Sequence, residues 1–137
     1  MTKIAAASVA ASVAASVAGQ PNILLIMADQ LSAPFLSIHG GPAITPNIDR
    51  LAAEGTTFTS AYSNSPLCAP ARFAMMSGQL NSKIGAYDNA SEFTSSIPTF
   101  AHHLRSAGYQ TTLVGKMHFV GADQLHGYEE RLTTDIY

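Results

Sequence analysis

The sequence predicts an α/β fold, a mostly parallel sheet flanked by helices, and three stretches carry that prediction. Residues 22–28, Asn-Ile-Leu-Leu-Ile-Met-Ala, form an apolar run without polar alternation, the pattern of a strand covered on both faces in a parallel sheet. Residues 45–55 carry helix punctuation, with Thr45 at the cap, Pro46 at the first helical position and Gly55 past the end. Residues 56–63 then resemble a strand with Phe58 and Tyr62 on one face. Strand, helix and strand make a βαβ unit, whose right-handed crossover puts Asp29 and the loop after it near one sheet edge.

In chain order, residues 1–20 come first and are a different kind of text, with A-S-V-A repeated three times. One Lys, an apolar stretch and small residues before Gly19 outline a secretory signal, but the run lacks Leu and Phe and is too short and mild to span a bilayer. A low-complexity extension outside the fold fits the same letters. The chain is expected in the cytoplasm, or in the periplasm or outside the cell if this segment is an export signal. After the first strand, residues 31–44 read as a loop containing Pro34, Gly40, Gly41 and Pro42, with His39 a solvated loop histidine. Ile48, Leu51 and Ala52 make the apolar stripe of the capped helix.

A second helix is expected to start near Cys68, with Pro70 in its first turn, and to fade by Ser77 and Gly78. Residues 79–96, punctuated by Gly, Asn and Ser, read as irregular. Pro98 to Ala107 reads as a third helix, with Phe100, Ala101 and Leu104 as its stripe and Gly108 as terminator. Tyr109 to Val114 is the last strand candidate.

The chemistry-bearing residues fall at the ends of these elements. Asp29 follows the first strand, where it can hold a metal or substrate or simply cap a turn. Cys68 is the only cysteine, so it makes no intramolecular disulfide and is either a buried small hydrophobe or a chemically used side chain. A helix starting there would aim free backbone donors at an anion, and Arg72, four residues on, shares its helical face. That spot suits a tetrahedral oxyanion. If the chain stays extended through Gly115-Lys116-Met117-His118, Lys116 and His118 point to one side at a strand's carboxyl end. His102 and His103 are adjacent helical positions that diverge by about 100° and cannot converge on one ion. Asp123 and His126 read as structural.

Composition excludes several classes. At 137 residues the chain can build one core, and with 12% charged residues and a net charge of −2 it carries neither a basic groove nor a Lys/Arg run. Nucleic acid and membrane are therefore not expected partners. No glycine-rich phosphate loop follows the first strand, which argues against a nucleotide-binding module.

The text S-P-L-C-A-P-A-R-F-A-M-M-S-G-Q-L around Cys68 contains a C-x-P-x-R pattern. With I-G-A-Y-D-N-A, T-P-N-I-D-R-L and G-K-M-H-F-V-G-A-D-Q-L-H-G-Y-E-E-R-L-T-T-D-I-Y, it resembles the formylglycine-dependent sulfatases, and among them the choline-sulfatase branch, over nearly all of the chain after residue 20. The resemblance implies an alkaline-phosphatase-like fold, with residues 21–137 as the N-terminal part of a catalytic domain. It implies that a maturation enzyme oxidises Cys68 to an aldehyde, formylglycine, whose hydrate supplies a nucleophilic hydroxyl and a route to release captured sulfate.

It further implies that Asp29 and residue 68 help hold a divalent metal, Ca2+ with Mg2+ or Mn2+ as alternatives. Arg72 and Lys116 offset charge on the sulfuryl oxygens, Lys116 contacting the substrate, and His118 gives acid or base help. Two departures stand out: Ala71 lies where the family usually has Ser, and Gln30 where most members have a second Asp. The implied substrate is choline sulfate or a similar small alkyl sulfate, with Tyr137 a candidate for an aromatic cage around the quaternary ammonium. Calcium wants six or more oxygens, which one Asp and a nucleophile cannot furnish, so the chain alone is expected to be silent. Alternatives are a phosphonate or phosphate ester hydrolase of the same superfamily, or a non-catalytic sulfatase-like fragment. The expected partners are the sulfate ester, the maturation enzyme and, in an oligomer, further copies of the chain.

Overall fold

Where the repeated small residues give way to Pro21 and the first large aliphatics, two short strands pair. The computed structural model describes residues 9–11 and 19–133. It separates into two units, Met1–Ser63 and Asn64–Tyr137.

In the first unit, β1 (Val9–Ala11) runs antiparallel to β2 (Leu24–Ile26), with Val9 opposite Ile26 and Ala11 opposite Leu24. β1 lies within the segment of repeated small residues. The apolar run around β2 is not covered on both faces as expected: Ile23, Leu24, Leu25 and Ile26 are 41–60% exposed. The reason is that a strand is buried by neighbours laid over its faces, and an antiparallel partner covers an edge instead.

The loop that follows folds into two 3-10 turns, Ala33–Phe35 and Ser37–His39, on either side of Leu36, which is buried and bridges to Ala43. Gly41 is required there, because a Cβ would stand 2.3 Å from the Phe35 carbonyl carbon. Helix α1 (Pro46–Glu54) begins after Thr45 and ends at Gly55 as expected. Thr45's hydroxyl, however, makes no cap bond to the helix backbone and lies 3.3 Å from Asp49 Oδ1. Ser37 Oγ also donates to the Asp49 carboxylate, at 2.8 and 2.7 Å from its two oxygens, tying the 3-10 turn to the helix. Ile48, Leu51 and Ala52 are half-buried. The strand expected over residues 56–63 does not form, and Phe58 and Tyr62 are 74% and 73% exposed. The βαβ unit is therefore not closed among the described residues of this unit.

The second unit holds α2 (Cys68–Ser77), ended by Gly78 at φ 67, and α3 (Asn81–Ile84), a short helix inside the stretch expected to be irregular. Asn81 Nδ2 donates to the Pro70 carbonyl at 2.8 Å and so docks α3 on α2. Helix α4 spans Phe100–Ser106, shorter at both ends than the predicted 98–107. It starts with a capping box in which Thr99 and the His102 side chain satisfy each other's backbone donors. β3 (Thr112–Leu113) pairs in parallel with β4 (Glu130–Arg131), a strand much shorter than the run from Tyr109 to Val114.

The core is aromatic. Phe73 of α2 stacks on Phe93 at 4.5 Å, and His126 lies 4.4 Å from Phe93 and 4.5 Å from Phe119. Ala69, Met76, Ala101 and Leu113 are buried in the same unit. Each buried Phe contributes about 1.5–3 kcal/mol from area alone, which is why this unit packs without a large sheet. Among the described residues no helix is long and apolar enough to cross a membrane.

Candidate active site

Leu67 is extended (φ −99, ψ 148) and the chain turns helical at Cys68, so the half-buried thiol stands on the first residue of α2. The free donors expected around it are partly spent. Ala69 N–H donates to Asn89 Oδ1 at 3.1 Å, and Pro70 has no N–H to offer. Asn89 thus caps the helix from a position 20 residues on, a role with no local sequence signal.

Arg72 lies one turn further along α2 and is 6% exposed. Its Nη1 donates to the Lys116 carbonyl at 2.6 Å and lies 3.9 Å from Met117 Sδ. The C-x-P-x-R helix and the G-K-x-H segment therefore meet, although 44 residues separate the bonded pair in sequence. The expected alternation of side chains does not hold there, because the segment is not extended: Gly115 has φ +99 and His118 φ +57. A left-handed histidine costs about 1–2 kcal/mol, a strain sustained only where surrounding contacts impose it. Met117 and His118 are buried, and Lys116 is half-buried.

Behind this segment, Asp123 accepts the N–H groups of Leu125 and His126 at 2.9 and 3.0 Å. Burial opposes ionisation of Asp123, but those two bonds and the neighbouring imidazole hold its carboxyl below the usual range. Burial pushes the His126 imidazole below its ordinary value, against the pull of Asp123. His126 Nδ1 lies 3.6 Å from Asp123 Oδ2, beyond hydrogen-bond distance, and among the described residues neither ring nitrogen has a hydrogen-bond partner, while the ring packs against Phe93 and Phe119. His102 is occupied in its capping box and His103 is exposed, so this pair does not form a metal site.

Asp29 belongs to the first unit, exposed in a turn beyond β2 where the next residue, Gln30, has φ 56. Among the described residues no group of three or more His, Cys, Asp or Glu could hold a metal ion. The described residues do not by themselves make a site for a divalent cation, given the six or more oxygens calcium takes. Tyr137 lies outside the described residues.

The sulfatase family model matches residues 21–135. The chain belongs to the sulfatase family. It is 60% identical to a choline-sulfatase of Rhizobium meliloti (strain 1021) over 122 residues, 87% of this chain and 23% of that one. It is 39% identical to an N-acetylglucosamine-6-O-sulfatase of Bacteroides thetaiotaomicron over 106 residues, 77% of this chain and 19% of the other. Among solved structures, one of BT4656 in complex with its substrate D-glucosamine-2-N,6-O-disulfate superposes with a TM-score of 0.66 at 37% identity, covering 72% of this chain and 20% of that one. The expected α/β, alkaline-phosphatase-like fold is thus the one this sulfatase chain shares. It spans about a quarter or less of the length of the curated relatives it matches.

Proposed function

We propose that this chain carries the nucleophile-bearing part of a sulfuric ester hydrolase acting on choline sulfate or a similar small alkyl sulfate. The observation that supports it best is the bond from Arg72 to the Lys116 carbonyl, which gathers the helix of Cys68 and the segment of Lys116 and His118 into one place. A formylglycine made from Cys68 by a maturation enzyme supplies, as its hydrate, a nucleophilic hydroxyl suited to sulfur. Lys116 then binds and neutralises a sulfuryl oxygen, with the Arg72 guanidinium adding positive potential nearby. His118 exchanges a proton with the nucleophile or the departing alcohol oxygen. Buried Met117 and Phe119 keep water from the underside of that segment.

Asp29 is the candidate metal ligand in the first unit, and one carboxylate supplies too few of the six or more oxygens that calcium takes. The chain by itself is expected to show no turnover.

The test is a chimera in which residues 21–137 replace the matching stretch of the Rhizobium meliloti choline-sulfatase, expressed beside a formylglycine-generating enzyme. Mass spectrometry of the peptide spanning residue 68 should show the aldehyde, and choline sulfate should be hydrolysed, with both signals lost in Cys68→Ala. Faster turnover of a phosphonate or phosphate monoester than of choline sulfate would move the assignment to an ester hydrolase of that class. A thiol that stays intact would point to a non-catalytic sulfatase-like fragment.

A further inference from the structure

We infer that Arg72 is a positioning residue, whose guanidinium fixes the backbone of Lys116-Met117-His118 to α2 and so sets the cation and the imidazole from the helix that carries Cys68. The inference concerns how the site proposed above is assembled, and its functional meaning rests on that proposal.

The loop after β3, residues 114–129, forms no strand. Its anchors include side-chain groups: Thr133 Oγ1 accepts the Gly115 N–H, Arg72 Nη1 donates to the Lys116 carbonyl, and Gln124 Nε2 donates to the Phe119 carbonyl at 3.0 Å. Of these three, the bond from Arg72 is the charge-assisted one, and at 2.6 Å it is short. It also sits between the two left-handed residues, Gly115 and His118, where the backbone has to be held against its own preference. Arg72 is 6% exposed and Met117, its other neighbour in that loop, is 4% exposed, so the joint is sheltered from competing water. A guanidinium presents five donors in a rigid fork, so one arm can hold a carbonyl while others are used elsewhere, which an ammonium does less well. Residue 72 therefore acts through Lys116 and His118 even where it also adds charge.

Backbone hydrogen exchange on the whole chain tests this, using Arg72→Ala and Arg72→Lys. In Arg72→Ala the amides of Met117 and His118 should exchange at least about tenfold faster, while those of α4 and of Thr112–Leu113 keep the wild-type rate. Millimolar guanidinium ion should restore slow exchange in Arg72→Ala, and methylammonium should not. Arg72→Lys, which keeps charge and most of the volume, should show the same local loosening to a smaller extent; it serves as the reporter if the alanine variant does not fold. Uniform acceleration across residues 64–133, unchanged rates at 117 and 118, or equal rescue by methylammonium would each overturn the inference. Exchange is read without any substrate, so failure of the sulfatase assignment would show in the chimera and leave this measurement standing.

Discussion

The two units of this chain are both rich in large apolar residues, yet they solve the problem of covering them very differently. In Asn64–Tyr137 the rings of Phe73 and His126 stack on Phe93, and Phe119 packs tilted against Phe93 and His126. In Met1–Ser63, among the described residues, Leu36 is the only buried apolar side chain, while Ile23 to Ile26, Phe35, Phe58 and Tyr62 stay open. The difference lies in partners within reach. A helix with loops folded back on it can bury a stripe using residues a few tens of positions away, whereas a strand apolar on both sides needs two further layers. Apolar text therefore announces a demand for burial and leaves open who meets it.

The comparison breaks most sharply at the aromatic stack. Phe73→Ala should cost about 3–5 kcal/mol, because it empties a fully buried site against Phe93, and urea unfolding should show loss of the second unit. Phe58→Ala, at a residue 74% exposed, should change stability by no more than about 0.5 kcal/mol in the same assay. Equal effects would mean that exposure in the first unit is not what limits its stability.

The next largest effect should come from backbone constraint. In Gly41→Ala the new Cβ would meet the Pro34 and Phe35 backbone at 2.3 Å, and the thermal midpoint of the first unit should drop by the equivalent of about 1–3 kcal/mol. That unit would then be held by close backbone approach where the other is held by rings. Smaller again, Ser37→Ala should cost about 1 kcal/mol by removing the hydroxyl that ties the 3-10 turn to Asp49.

The pH response should be gentler, limited to one proton. The folded state holds His126 below its ordinary value of 6.5, so the unfolded chain binds more protons on acidification. The stabilising contribution of neutral His126 is complete above about 6.5 and is lost as pH falls from there toward the depressed folded value. Urea midpoints measured down a pH series should fall in that window for the wild type, and His126→Phe should flatten the fall. A slope that survives the substitution would assign the acid sensitivity to other groups.

Much of the second unit was legible because its signals are local. The start of α2 at Cys68, its end at Gly78, the helix before Gly108 and the divergence of His102 and His103 all follow from punctuation and helical spacing. The neighbours of His126 were not legible, since its stacking on Phe93 joins residues 33 positions apart. The strands were over-read. Residues 56–63 and 109–114 have strand-like letters, but pairing depends on a partner that letters do not reveal.

What the amino-acid sequence determined by itself is the chemical inventory and its family: one thiol at a helix start, an arginine a turn later, a lysine and histidine two apart, and text that belongs to the sulfatases. Only the tertiary structure decided how the parts are joined. It set Asn89 on the Ala69 N–H, gave Gly115 and His118 left-handed backbones in a segment expected to be extended, and placed Arg72 on the Lys116 carbonyl. The physical reason is that helix caps and spacings are properties of a few neighbouring residues, while a hydrogen bond to a distant carbonyl exists only once packing has brought the donor and the acceptor to the same buried place.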